Sequence, residues 1–372
     1  MTSLVNHIFN ADKTDYENPS IFLGQDKGLL DTINKKFPTV WKLYKSMKSL
    51  DWDENEFDYK KCEVEFATCP RNIYDMMIKT LAWQWEADSA AAQSIAPIIA
   101  MYSPATEVWV AWQRISDNES IHALTYSEIV RNSFVDPDKA MATVLEEKKA
   151  LERLSTVAHI MGNAKIVGHK IGLGMIDKDS DEAYDAVFMF VAALLILERI
   201  QFMASFSITF AICDLGYFNP IGKAVQKIAQ DELEVHVAMD KEVLRHEMST
   251  ARGAAAFERC RPLIQKTIDE VLFGEYGWTD YMFSAGRELP GMNAQKVKDW
   301  VGFNALDVYS FFGLTPPAVP KTLPNQLPLK FMERWLNIGK MQPSPQEEDV
   351  AMYRLGIMQR DDEDANFDEF DL

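Results

Sequence analysis

A carboxylate and an imidazole occur together, about one helical turn apart, in the middle of the sequence. Glu119 and His122 form the pattern Glu-x-x-His, and a step of about 100° per residue puts them roughly 60° apart on one helical face. Tyr126 lies nearly two turns after Glu119 and therefore shares that face. Because one Glu-x-x-His occurs by chance in many helices, it indicates a metal site only together with other ligands.

A second acid and imidazole pair lies in the run from Asp231 to His236. Glu232 and His236 are one turn apart and share a face. Glu234 is about 200° round the helix from Glu232 and is expected on a solvated face.

Two further acids lie in unusual surroundings. Glu198 interrupts an apolar stretch that runs from Val191 to Phe206. A charge is costly in a core unless it is paired or binds a metal, so Glu198 is predicted to be a buried metal ligand, with an ion pair to Arg199 or to another helix as the alternative. Asp88 stands beside small residues and alone could be a surface acid.

Taken together, these residues give one carboxylate from each of two helices and an acid plus a histidine from each of two others. This is the ligand set of a carboxylate-bridged dimetal bundle. Oxygen-rich ligands with two imidazoles suit iron or manganese.

The segments that carry these side chains are predicted to be helices, because apolar residues recur at three- and four-residue steps without an alternating strand pattern. Four long helices are predicted: from near Pro70, from a Ser103 cap with Pro104 to about Asn132, from Ser180 to Gly216, and from Asn219-Pro220 to about His246. More helices from about 254 to 313 pack around them. The predicted fold is all-α, a ferritin-like four-helix bundle with additional helices.

Composition narrows the class of protein. The net charge of -18 disfavours nucleic acid as a partner. Four cysteines without metal-ligand spacing fit a reducing, cytoplasmic setting. The start of the chain lacks the features of a secretion signal, and the apolar run Ala186–Leu197 is short for a membrane span, so no membrane association is expected.

The segment from Trp112 through Glu119, His122 and Tyr126 to Asn132 resembles the small subunit of class I ribonucleotide reductase, and the resemblance extends over nearly the whole chain. It implies that two metal ions and oxygen oxidise Tyr126 to a stable radical. The implied metals are two iron ions per chain, with manganese or a mixed pair as alternatives. The implied ligands are Asp88, Glu119 and His122 for one ion and Glu198, Glu232 and His236 for the other, with Glu119 and a second carboxylate bridging.

The resemblance also assigns residues around the metals. Trp52 is similar to the tryptophan that hands an electron to the metal site, and Asp231 to the acid that links it with the ligand histidine. Three residues match the apolar pocket that shields the radical: Phe202, Phe206 and Ile228. Ordinary core packing is the alternative for them, and both roles can hold at once.

The end of the chain is expected to reach the partner. Residues 341–372 are predicted to be a flexible acidic tail after a domain of residues 1–340, because the stretch from Asp361 to the end has seven acids and no base. Tyr353 resembles the residue that passes the radical to the large catalytic subunit. Phe367, Phe370 and Leu372 resemble its docking anchor. A homodimer is also implied.

The sequence departs from the family in one place. The second acid and histidine are usually spaced as Glu-x-x-His, but here Glu232 and His236 have three residues between them. We predict a π-bulge between Gln230 and His236, a feature that tends to occur at functional sites. Glu234 is the alternative ligand.

Three other functions share parts of this pattern. A dimetal oxidase acting on its own organic substrate has the same ligands but needs neither Tyr126, Trp52 nor the acidic tail. An iron-storing ferritin-like protein should be shorter and lack the tail. A helical scaffold without metal leaves Glu198 unexplained.

Overall fold

The computed structural model describes residues 20–24, 30–317 and 323–336. Within these ranges the regular structure is helical and no strand occurs, which confirms the predicted all-α class. The helices are α1 (Pro38–Ser49), α2 (Cys62–Thr68), α3 (Arg71–Ala100), α4 (Thr106–Ser133), α5 (Pro137–Leu145), α6 (Lys148–Gly172), α7 (Asp181–Ile196), α8 (Phe202–Asp214), α9 (Asn219–Gln230), α10 (Val237–Ser249), α11 (Ala251–Met282), α12 (Ala294–Phe311) and α13 (Phe331–Leu336).

Four long helices form the bundle that positions the site. Helices α3 and α4 pack extensively along each other. Helices α7 and α8 continue one another through a π-helical stretch, Leu197–Gln201, which we call the first π segment. Helices α9 and α10 are joined in the same way through the second π segment, Asp231–His236. The two π segments contact each other, so both irregularities lie at the same level of the bundle.

The predicted start of the third long helix is confirmed. The Ser180 side chain accepts a hydrogen bond from the Ala183 N–H at 3.2 Å. Two acids occupy the first turn, where the positive end of the helix dipole stabilises their negative charge.

The predicted Ser103 cap on the second long helix is wrong. Helix α4 begins at Thr106, and Ser103 has a φ of 42°, outside the helical region. The Ala105 N–H instead donates to the Ile21 carbonyl at 2.8 Å, which ties this turn to the segment that contains Ile21, and the helix begins two residues after Pro104.

The stretch Asp181–Asp214 is long and apolar enough to cross a membrane, but 94% of its most apolar window is buried inside the fold. This burial is typical of the central helix of a soluble helical protein. Buried apolar side chains from α3, α4, α7, α8, α9 and α11 join in one continuous core. The predicted domain boundary near residue 340 lies outside the described residues and stays a prediction.

Candidate metal centre

The structure brings the six predicted ligands together at the centre of the bundle. One group consists of Asp88, Glu119 and His122, and an adjoining group of Glu119, Glu198, Glu232 and His236. Within each group the potential ligand atoms lie within 4.8 Å of one another. Each of the six residues is at most 1% exposed. Because Glu119 belongs to both groups, its carboxylate is placed to bridge two ions.

Both imidazoles turn the same ring nitrogen into the cluster. The Nδ1 atom of His122 lies 3.2 Å from Glu232 Oε1 and 3.6 Å from Glu119 Oε2. The Nδ1 atom of His236 lies 3.0 Å from Glu232 Oε2 and 3.3 Å from Glu119 Oε1. Four helices therefore point nitrogen and oxygen donors at one small volume.

The second π segment accounts for the unusual spacing of its ligands. The bulge predicted between Gln230 and His236 is confirmed, since Asp231–His236 is π-helical. The inserted residue lets Glu232 and His236 both face the cluster. Glu234 is exposed, and its carboxylate accepts from Gln230 Nε2 at 3.3 Å on the outer face. The geometry therefore favours Glu232 over Glu234 as the ligand.

The first π segment carries Glu198, and the neighbouring arginine points elsewhere. Arg199 Nε donates to Asp307 at 2.8 Å, and its guanidinium also contacts Asn304 on α12. The alternative of an ion pair between Glu198 and Arg199 is therefore wrong. Glu198 remains in the core with the other carboxylates.

The chemistry of this donor set fits a pair of metal ions. Among the described residues, several buried cluster atoms have no hydrogen-bond partner of suitable geometry: both carboxylate oxygens of Asp88 and of Glu119, Nδ1 of His122, Oε2 of Glu198 and Oε1 of Glu232. Buried polar groups are nearly always satisfied, so this concentration of unsatisfied atoms needs an explanation. Carboxylate oxygens with two imidazoles are suited to iron or manganese.

Without metal, the close packing of these buried carboxyl and imidazole groups changes their pKa values. Burial, reinforced by the neighbouring carboxylate Glu119, raises the pKa of Asp88 well above its usual value. Burial and Glu232 do the same to the pKa of Glu198. Burial alone would lower the pKa of His236, but the Glu232 and Glu119 carboxylates raise it to about 10. The metal-free cluster therefore holds protons that metal ions would displace.

A polar chain leads from His122 away from the cluster. His122 Nε2 lies 3.1 Å from Asp231 Oδ2, and the indole N–H of Trp52 donates to the same oxygen at 2.7 Å. All three side chains are buried, and the Trp52 and His122 rings stack with centroids 6.0 Å apart. A carboxylate that holds the second nitrogen of a ligand histidine fixes its ring orientation.

Tyr126 lies on the α4 face that carries Glu119 and His122. It is fully buried, and its hydroxyl has no hydrogen-bond partner among the described residues. Burial, together with the nearby Asp88 and Glu232 carboxylates, raises its pKa well above the usual tyrosine value. The phenol is therefore neutral and shielded from water.

The predicted apolar pocket residues are all in the core. Phe202 and Phe206 stack with centroids 5.6 Å apart, and Ile228 is fully buried one turn before the second π segment. A buried position is expected both for ordinary core packing and for a shield around Tyr126, so burial does not distinguish the two roles.

Sequence reasoning missed one acid of the site. Asp240, on α10, is only 2% exposed, and its carboxyl is close enough to Glu198 to raise the pKa of that residue. Burial raises the pKa of Asp240 itself. The available signal was its spacing, because Asp240 lies one turn after His236 on the same face.

Two predicted elements fall outside the described residues. Tyr353 and the docking residues Phe367, Phe370 and Leu372 lie beyond residue 336, where the described part of the chain ends.

Residues 31–317 match the family described as "Ribonucleotide reductase, small chain". The chain is 24% identical to the ribonucleoside-diphosphate reductase subunit beta of Buchnera aphidicola subsp. Baizongia pistaciae over 98% of this chain and 99% of that protein.

Solved structures agree at the level of the fold. The ribonucleotide reductase R2 subunit from Clostridium botulinum superposes with a TM-score of 0.68 at 20% identity, covering 85% of this chain and 94% of that one. The dimanganese(II)-NrdF of Streptococcus sanguinis superposes with a TM-score of 0.60 at 14% identity, covering 78% of this chain and 94% of that one.

Proposed function

Because the chain belongs to the family of ribonucleotide reductase small chains, we propose that its buried cluster holds two metal ions and that Tyr126 is oxidised there to a stable radical. The observation that carries this proposal is the pair of adjoining ligand groups that share Glu119, on the same helical face as the fully buried Tyr126. The chain thus acts as the radical-generating small subunit of the enzyme.

Each ligand would have a defined part. Asp88, Glu119 and His122 would hold one ion, and Glu198, Glu232 and His236 the other, with Glu119 bridging. Reduction of oxygen to water takes four electrons: when bound and reduced, the two ions would supply one each, Tyr126 would give one as it is oxidised, and the fourth would arrive through Trp52. We propose iron as the metal. A manganese pair or a mixed pair is the alternative, because one structural relative is named as a dimanganese protein.

The protein supplies placement and protection. Asp231 would keep the His122 ring in the orientation that points Nδ1 at the metal, because its carboxylate lies 3.1 Å from Nε2. Because Tyr126 is fully buried, its radical would be shielded from donors in the solvent. Phe202, Phe206 and Ile228 would form the apolar wall of that pocket.

Electrons must also pass between the cluster and the outside. We propose that they travel through Trp52 and Asp231 to His122, and that Tyr353 in the tail carries the radical onward to the large subunit. The large subunit would reduce ribonucleotides to deoxyribonucleotides. The chain would work as a homodimer in complex with that subunit, with residues 341–372 as the docking tail and residues 1–340 as the metal-binding domain. The cytoplasm is the proposed compartment.

An oxidase acting on its own substrate would use the same ligands. The hydrogen-bonded chain of Trp52, Asp231 and His122 favours the reductase subunit, because an enzyme that keeps its chemistry inside one pocket has no need of such a connection.

Reconstitution tests the proposal directly. The metal-free chain is loaded with ferrous ion, exposed to oxygen and examined by electron paramagnetic resonance (EPR), with a parallel manganese loading. Binding of two ions per chain followed by a tyrosyl signal is expected. Metal binding without any organic radical under either loading would contradict the proposed role.

A further inference from the structure

Arg153 is a buried cation outside the cluster. It lies on α6, its side chain is 3% exposed, and its guanidinium carbon sits 4.0 Å from the Trp83 ring centroid and 4.4 Å from that of Trp278. Glu275 on α11 pairs with it through two hydrogen bonds of 2.8 and 2.6 Å. Since burying an ion pair brings little net stability, the other contacts of Arg153 are the informative ones.

Those contacts reach the first π segment. Arg153 Nη2 donates to the backbone carbonyl of Gln201 at 2.8 Å, and Gln201 Nε2 donates back to the carbonyl of Arg153, also at 2.8 Å. Arg153 Nη1 donates to Ser205 Oγ at 3.1 Å, one turn further along. Gln201 is the last residue of the segment that carries Glu198. Arg153 is therefore bonded to the end of the π segment and to the first turn of α8.

The orientation of Glu198 depends on that segment keeping its π-helical form. A change from π to α spacing removes one residue from the local register and rotates the two flanking parts of the helix by about 100° relative to each other. Glu198 could then no longer face the cluster while the residues of α8 keep their present positions in the core. A π insertion in a long helix is rare and needs contacts that hold it, because the regular α-helix competes with it.

We propose that Arg153 is a positioning residue for Glu198. By bonding to Gln201 and Ser205 it holds the first π segment in the register that turns the Glu198 carboxylate into the cluster. Glu275 and the two tryptophans fix the guanidinium in place. Arg199, which donates to Asp307 at 2.8 Å, holds the same segment from the α12 side. The inference rests on the proposed function, because it assigns a purpose to the placement of a proposed ligand.

The test removes the hydrogen bonds of Arg153 to Gln201 and Ser205 without leaving an unpaired buried charge. In Arg153→Met combined with Glu275→Met, both partners become apolar, a replacement that buried ion pairs often tolerate without loss of stability. The control is Lys79→Met combined with Glu147→Met, which removes another largely buried ion pair, between α3 and the residue before α6, away from residues 197–201. Ferrous ion is titrated anaerobically into each variant and into the parent, and hydrogen–deuterium exchange is followed by mass spectrometry.

We expect the Arg153 double variant to bind its first ion as the parent does and its second about 10- to 100-fold more weakly, the usual effect of losing a residue that orients a ligand. Amides of residues 197–206 should exchange faster, while those of 119–126 keep the parent rate. Arg153→Lys should lie between, because one ammonium cannot hold Glu275 and Gln201 in the same way.

Unchanged second-ion affinity and exchange would overturn the role of Arg153, and so would an equal loss of both ions, which indicates a merely structural residue. A parent chain that binds fewer than two ions would instead contradict the proposed function.

Discussion

The indole N–H of Trp52 donates to the Asp231 carboxylate at 2.7 Å, although the two residues are 179 positions apart in the sequence. The accepting oxygen also lies 3.1 Å from Nε2 of His122. One carboxylate thus connects a buried tryptophan with a proposed metal ligand, and in the proposed function this connection would both orient His122 and carry electrons.

Replacing Asp231 should weaken the site while leaving all six ligands in place. In Asp231→Asn the partner of His122 loses its charge, and we expect about a 10- to 100-fold loss of metal affinity at the Asp88 and His122 position. Glu234→Gln is the matched control, since it neutralises an exposed acid of the same π segment. Equal affinities of the two variants in a metal titration would show that Asp231 does not orient His122.

Removing Glu198 should cost one metal ion. In Glu198→Ala no other carboxylate on the first π segment can take its place, so the chain should retain about one ion instead of two. Elemental analysis after gel filtration measures the stoichiometry. Full retention of both ions would remove Glu198 from the ligand set.

Metal binding should release protons. The pKa values of Asp88 and Glu198 are raised mainly by burial, so these groups keep protons at a pH where ordinary carboxyls are ionised. His236, with its pKa raised to about 10, is also protonated at neutral pH. Ligands must be deprotonated, so affinity should increase as the pH rises. Calorimetry at neutral pH in buffers of different ionisation enthalpy should show net proton release, whereas a buffer-independent heat would contradict the crowded, protonated cluster.

The sequence predicted the bundle, the residues of the buried cluster and the second π segment, because each left a local signal. The four-residue spacing of Glu232 and His236 indicated a bulge where the family pattern expects three. No such signal marks the first π segment, because it carries one predicted ligand, Glu198, and therefore has no spacing between ligands that could reveal a change of hydrogen-bond register.

Long-range partners were also beyond sequence reasoning. Arg153 lies in an ordinary amphipathic helix, and its partner Glu275 is 122 residues away, so only the fold shows that the pair is buried. The misplaced Ser103 cap has the same origin, because the start of α4 is decided by a hydrogen bond to Ile21.

The last residues should serve docking and not radical formation. Deleting the segment from Asp361 to Leu372 should leave the Tyr126 radical intact and lower the affinity for the large subunit, because its few apolar groups cannot pack a core of their own. A peptide of this sequence should compete with the intact chain in a pull-down and inhibit ribonucleotide reduction. Loss of the radical on truncation would show a structural role instead.

The identity of the oxidised residue tests the proposed function most directly. In Tyr126→Phe only the phenolic oxygen is removed, so the chain should bind metal and consume oxygen as before. Tyr59→Phe is the control, because Tyr59 is the neighbouring buried tyrosine and its hydroxyl also lacks a hydrogen-bond partner among the described residues.

The measurement is the EPR spectrum after loading with ferrous ion and oxygen, recorded with ordinary and with ring-deuterated tyrosine. A tyrosyl signal is expected in the parent and in Tyr59→Phe, narrowed by deuteration, and none is expected in Tyr126→Phe. An unchanged tyrosyl signal in Tyr126→Phe would place the radical on another residue and contradict the central claim.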